Sequence, residues 1–244
     1  MIFVRFRLKQ ALAYLGAAAA ACALTATGIF LVQHAARPVD TTPERPTPVV
    51  LLDAGHGGED GGAVGLNGIV EKDINLPITC KLNDFLQALG YQTLLTRTTD
   101  TSIHDAAAAS LRERKRSDIH NRFHMMQSLR GSDLFVSIHQ NKFPESAPHG
   151  TQVFYSQNHS RSILLANAIQ QSVVALLQSG NTRQVKPSGS EIYLLHNAEI
   201  PAVLVECGFI SNPEDAAKLV TEEYQDQIAF AIACGILNNT ANTG

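Results

Sequence analysis

The body of this chain lacks a basic stripe, a cysteine framework, a phosphate-binding glycine motif and any internal repeat. The formal net charge of the 244 residues is -3 at pH 7. Arg5, Arg7 and Lys9 supply three positive charges before any acid appears, so removing them leaves -6 for the rest. A mildly acidic body argues against nucleic acid as a partner. Outside Cys22 there are only Cys80, Cys207 and Cys234. An odd count does not make a disulfide framework, and the spacing fits no cysteine-type zinc site. Their apolar surroundings predict small buried thiols. The glycine-rich loop at 55–68 ends in no Gly-Lys-Ser/Thr and contains no GxGxxG run, which disfavours a phosphate cradle.

Long apolar runs are also missing, with one exception. Residues 11–32 hold no charge and are mostly Ala, Leu, Ile, Phe and Val, directly behind the three N-terminal cations. That length is near the roughly 20 residues needed to span a bilayer and long for a signal-peptide core. The basic flank belongs on the cytoplasmic side, which puts the body outside the cytoplasm. Residues 1–36 therefore read as a membrane anchor or a cleaved signal segment, with both alternatives open. Cys22 inside it reads as membrane-buried. Residues 37–47, with Pro38, Pro43 and Pro46, read as an extended linker. Residues 48–240 are expected to form one domain.

Within that domain, three apolar strands each run straight into chemistry. The stretch 48–53 leads into Ala54-Gly-His56-Gly-Gly58, 134–138 into His139-Gln-Asn141, and 201–205 into Glu206-Cys-Gly208. Short continuous apolar runs suit strands buried on both faces. Helices are expected at 72–89, where Ile74, Ile78, Leu82, Phe85 and Leu89 recur at helical spacing and Gly90 stops the run, and at 111–129, 160–178, 213–220 and 222–237. Further strands are expected at 91–96, 151–155 and 192–195. The alternation gives an α/β fold: a single domain with a largely parallel mixed sheet covered by helices on both faces.

Ligand sites of open α/β sheets lie at the carboxyl ends of the strands. If the three strands are parallel neighbours, His56, His139 and Glu206 converge at one edge. Glu71, at the start of the first helix, reaches the same edge. His56, Glu71 and His139 then form the two-imidazole, one-carboxylate set of a catalytic zinc, one ion per chain, with a position left for water. Glu206 is the separate carboxylate that takes and returns a proton. Asp53 and Asn141 flank these groups, either orienting them or acting only as strand-end turn residues. His196, just before the third strand, is a candidate to reach the cleft. The other histidines read as surface or helix-face residues.

Four motifs, in order, resemble the zinc-dependent N-acetylmuramoyl-L-alanine amidases: Leu51-Leu-Asp-Ala-Gly-His-Gly-Gly-Glu-Asp-Gly-Gly62, Glu71-Lys-Asp-Ile-Asn-Leu76, Ser137-Ile-His-Gln-Asn141 and Pro201-Ala-Val-Leu-Val-Glu-Cys-Gly-Phe-Ile-Ser-Asn212. The resemblance spans residues 48 to about 237. It implies zinc on His56, Glu71 and His139, catalysis by Glu206, and hydrolysis of the amide between N-acetylmuramic acid and L-alanine in peptidoglycan. The compact domain is similar to the branch of the family active in the spore cortex, which implies a part in forming muramic δ-lactam. An activator protein of unknown identity is left open as a partner. A zinc peptidase acting on the stem peptide is the nearest alternative; an inactive wall-binding or activator protein on the same fold is the other. The helix with Arg112, Arg114, Lys115, Arg116, Arg122 and the following Arg130 reads first as a solvated face and second as a surface for stem-peptide carboxylates.

Overall fold

The computed structural model describes residues 48–241. The anchor or signal segment at 1–36, with Cys22, and the linker at 37–47 lie outside the described residues. In chain order the described elements are β1 (Val50–Ala54), a 3-10 turn at Leu66–Gly68, α1 (Glu71–Ala88), β2 (Thr93–Leu95), α2 (Leu111–Gln127), β3 (Leu134–Asn141), β4 (Gln152–Tyr155), α3 (Arg161–Leu176), β5 (Lys186–Pro187), α4 (Tyr193–Asn197), β6 (Ala202–Phe209), α5 (Pro213–Leu219) and α6 (Glu222–Ala241). Among them no helix is long and apolar enough to cross a membrane.

The three apolar runs are parallel neighbours. The sheet order is β2-β1-β3-β6-β4-β5. β1 pairs in parallel with β2 and β3, and β3 with β6. Only β4 meets β6 antiparallel, so the sheet is mixed but largely parallel. Every residue of β1 is buried. Such a strand needs apolar side chains on both sides, hence a continuous run and not an alternating one.

On one face, Ile74, Ile78, Leu82 and Leu86 of α1 pack with Leu165 and Ile169 of α3 and Ile228 and Ile232 of α6 against Val50, Leu52, Val136 and Val205. On the other, Met126 of α2 and Leu194 and Leu195 of α4 cover Leu51, Phe135, Ala202 and Leu204. Two helix starts follow from local chemistry. Ser110 and Glu113 form a reciprocal capping box at α2, and the Asn212 side chain accepts from the Glu214 and Asp215 amides at α5.

Three expectations are corrected. Residues 192–195 are not a strand: Tyr193–Asn197 is a short helix with Leu194 and Leu195 buried in the second core. Four apolar residues carry no period that separates strand from helix. The sheet edge beside β4 goes instead to Lys186–Pro187, which has no apolar signal. Second, only Cys207 of the body thiols is fully buried; Cys80 and Cys234 are half-buried.

The third correction concerns α2. Arg112, Lys115 and Arg116 are exposed as expected of a solvated face, but Arg122 is 2% exposed. Its guanidinium donates to Asp118 Oδ2 at 2.6 Å and to Asp53 Oδ1 at 2.5 Å. Burial alone would raise the Asp53 carboxyl; Arg122, with the Ser137 and Thr96 hydroxyls, outweighs it and holds Asp53 below its ordinary value. Arg122→Met leaves two enclosed carboxylates without their cation. Denaturant unfolding at neutral pH should show a loss of about 3–5 kcal/mol, with the slope unchanged. A folded carboxyl below its unfolded value stabilises above that value, and the contribution disappears as pH falls through the folded one. Without Arg122, burial lifts the Asp53 carboxyl, so the deficit should narrow as pH falls toward 3.8 and continue to narrow below it. A loss under 1 kcal/mol would mean that the pair is balanced by solvent.

Candidate metal centre

His56 lies two residues past β1, in the left-handed region at φ 63. A non-glycine residue there costs about 1–3 kcal/mol unless its surroundings fix it. Two buried guanidiniums do so. Arg122 donates to the carbonyls of Ala54 and His56, both at 2.8 Å. Arg97, at the end of β2, donates to the carbonyls of Ala54 at 2.9 Å and Gly55 at 3.2 Å. Three consecutive carbonyls are thus held by charge-assisted hydrogen bonds.

Two glycines are required by close approach. A Cβ on Gly55 would overlap the His139 ring. A Cβ on Gly62, at φ +72, would come within 2.5 Å of Glu71 Oε2 and 2.6 Å of His56 Cδ2. The loop packs its backbone directly against the three side chains, which only glycine permits.

Glu71 opens α1 and is 4% exposed. Its Oε1 lies 2.8 Å from His139 Nδ1 and accepts the Gln140 amide at 3.1 Å. Its Oε2 accepts the Ala63 amide at 2.8 Å and lies 3.2 Å from His56 Nε2. Burial works against the ionised form, but the bonds to the two imidazoles prevail and hold Glu71 far below the usual carboxylate range. On its other side His56 Nδ1 meets Asp60 Oδ2 at 2.9 Å, and Lys115 pairs with Asp60 at 2.7 Å. Burial would lower the imidazole; Asp60 and Glu71 reverse this and push His56 up to about 9. The cluster is electron-rich and favours positive charge. One ligand atom from each of His56, Glu71 and His139 lies within 4.8 Å of the others. Two imidazoles and a carboxylate so converged fit zinc, and the donor atoms that share protons here are those a dication takes.

Glu206 stands directly across from His139 in the β3–β6 register. Its Oε2 is enclosed and has no hydrogen-bond partner among the described residues. Burial raises its carboxyl to about 7, with His139 lowering it and Glu71 raising it. An enclosed, unpartnered carboxyl near neutrality is suited to moving a proton at ordinary pH.

This geometry coincides with a match to the family model described as N-acetylmuramoyl-L-alanine amidase, over residues 50–238. The chain belongs to the N-acetylmuramoyl-L-alanine amidases. It is 34% identical over 196 residues to the germination-specific N-acetylmuramoyl-L-alanine amidase of Bacillus subtilis, covering 80% of this chain and 81% of the relative. The CwlD amidase of Clostridioides difficile, solved in complex with the GerS lipoprotein, superposes with a TM-score of 0.77 at 37% identity, covering 80% of this chain and all of that one. The catalytic domain of CwlV from Bacillus (Paenibacillus) polymyxa gives 0.67 at 30%, covering 80% and 99%.

In this amidase the four singled-out residues come together, and two other candidates do not. His196 is exposed at the end of α4, which leads into the opposite, amino end of β6. Asn141 spends its Oδ1 on the Lys142 amide at 2.8 Å and has no bond to His139, so it is a strand-end residue. Asp53 does orient the site, through Arg122. Sequence reasoning missed Asp60, Asn75, Arg97 and the role of Arg122. Asn75, one helical turn after Glu71, bonds Gly55 O at 3.1 Å and Glu71 Oε1 at 3.4 Å; its spacing could have disclosed it. Arg97 carried no local signal.

Gly55→Ala tests the close approach. The methyl group forces the His139 ring aside, and zinc affinity, read by competition with a chromogenic chelator, should fall by about 10–100-fold. Wild-type affinity in this variant would remove the steric argument.

Proposed function

We propose that the chain is a zinc-dependent hydrolase of the amide between N-acetylmuramic acid and L-alanine in peptidoglycan. His56, Glu71 and His139 hold the ion and Glu206 is the catalytic residue. The observation that carries this reading is the register contact between His139 and Glu206, which sets an unpartnered carboxyl beside the three-ligand cluster. Zinc bound there supplies Lewis acidity toward the amide carbonyl and acidifies water toward neutral pH. Glu206 accepts the proton of the attacking water at Oε2 and gives it to the alanine nitrogen as the C–N bond breaks. Asp60 fixes the His56 ring through Nδ1 and leaves Nε2 facing inward. Glu71, ionised across the working pH range, keeps both imidazoles oriented.

Likeness to the germination-specific enzyme of Bacillus subtilis supports the spore cortex as the wall layer and a part in forming muramic δ-lactam. The complex of the Clostridioides difficile relative with a lipoprotein supports a protein partner for this chain as well. Residues 1–36, as anchor or signal, and the linker 37–47 would deliver the domain at 48–240 to peptidoglycan outside the cytoplasmic membrane.

The purified protein, loaded with zinc and given peptidoglycan, should release intact stem peptides with a free N-terminal L-alanine, read by mass spectrometry. Shortened peptides still attached to sugar would replace this reading with a peptidase. Glu206→Gln should lower kcat by about 10²–10⁴-fold while zinc content stays at one ion per chain; full activity would sink the assignment. Glu206 works as the carboxylate, so activity falls as pH drops through its pKa. Burial sets that value at about 7 without a cation, and a neighbouring dication draws it down toward the ordinary 4.5. The acid limb of kcat/KM should therefore lie between these two values and vanish in Glu206→Gln.

A further inference from the structure

The row of side chains holding His139 and Glu206 continues past β6. Gln152 on β4 is the register partner of Glu206, and directly opposed residues of paired strands share a face. The Gln152 side-chain amide donates to the Gln184 carbonyl, which carries the row to the segment entering β5. There a cavity of about 580 Å3 opens, with His149, Gln152, Asn181, Arg183 and Lys186 in its wall and no carboxylate. Lys72, Arg114 and Lys115, near the metal cluster, are committed to Asp100, Glu59 and Asp60. Arg183 and Lys186 have no ion-pair partner among the described residues.

Arg183 is nevertheless held in place. Its Nε donates to the His149 carbonyl at 2.7 Å, its Nη1 to Gln152 Oε1 at 3.4 Å, and its guanidinium carbon lies 4.5 Å over the Phe209 ring. Nη2 has no protein partner among the described residues. A guanidinium held through Nε and Nη1 with Nη2 unspent is pre-organised to donate to a carboxylate. Two strand steps of about 4.8 Å separate β6, which carries Glu206, from β5, roughly 10 Å in all. An extended peptide covers about 3.3–3.6 Å per residue, so the cavity lies within about three residues of an amide held at Glu206.

We infer that the cavity walled by His149, Arg183 and Lys186 is a subsite for a carboxylate of the stem peptide, and that it registers the substrate so that the scissile amide meets Glu206. This rests on the amidase reading. The side chains act by positioning and by specificity, and move no proton.

The test uses the zinc-loaded full chain and one soluble muropeptide in two forms, with its stem-peptide carboxylates free or converted to amides. Wild type should prefer the free form by about tenfold in kcat/KM, with the difference in KM, as loss of one charge-assisted bond implies. Lys186→Gln, at an exposed position, and Arg183→Gln should each raise KM on the free form by about 5–20-fold, with kcat within twofold. Their loss on the amide form should be at most twofold. Equal losses on both forms, or no preference in wild type together with no effect of Lys186→Gln, overturn the subsite and leave the amidase reading standing. No hydrolysis of either form by wild type overturns both.

Discussion

Arg97 and Arg122 hold the carbonyls of Ala54, Gly55 and His56, and through them the loop that carries the first imidazole. Each guanidinium comes from a different element, one from the end of β2 and one from α2. The loop is thereby tied to the sheet beneath it and to a helix on the second face. His56 keeps a left-handed backbone because its own carbonyl and the two before it are spoken for. Without that restraint the ring would not stay edge-on to His139, with centroids 5.0 Å apart.

The clamp creates an electrostatic obligation. Arg122 is buried and needs buried carboxylates, which Asp53 and Asp118 supply. Buried ion pairs of this kind add little net stability over an apolar core, but breaking one half is costly. Above them the balance reverses: Glu71 and Asp60 face two imidazoles, and that excess of anionic donors is what a dication answers. The same chain segment thus separates a satisfied cation below from a cation-seeking cluster above. Glycines at 55 and 62 let the backbone pack directly against the side chains of the upper cluster.

Sheet geometry organises the chemistry along the other axis. His139, Glu206 and Gln152 occupy one register row across β3, β6 and β4. The proposed ligand, the proposed proton carrier and the edge of the basic cavity therefore stand at spacings fixed by strand pairing, and not by loop conformation. The reversal of β4 relative to β6 matters here, because it brings the chain from Gly150 and from the 180–186 segment to the carboxyl ends of the parallel strands.

Composition and short-range pattern were enough to determine the strands of the core, the helix of Glu71 and the convergence of His56, Glu71, His139 and Glu206 at one sheet edge. Buried parallel strands are unbroken apolar runs, and a polar residue ending such a run has few places to go other than the sheet's carboxyl edge. What only the tertiary structure decided were the long-range partnerships. Arg97 reaches carbonyls 42 and 43 residues away and Arg122 reaches Asp53 across 69, and no periodicity encodes such a separation. Arg122 looked like its exposed neighbours on α2 because charge runs are usually solvated; its burial follows from its docking on Asp53 and the Ala54 carbonyl at the carboxyl end of β1. The short helix at 193–197 and the edge strand at 186–187 were likewise settled by which surface remained to be covered. Local pattern specifies what each segment can bury; only the assembled sheet specifies what lies opposite it.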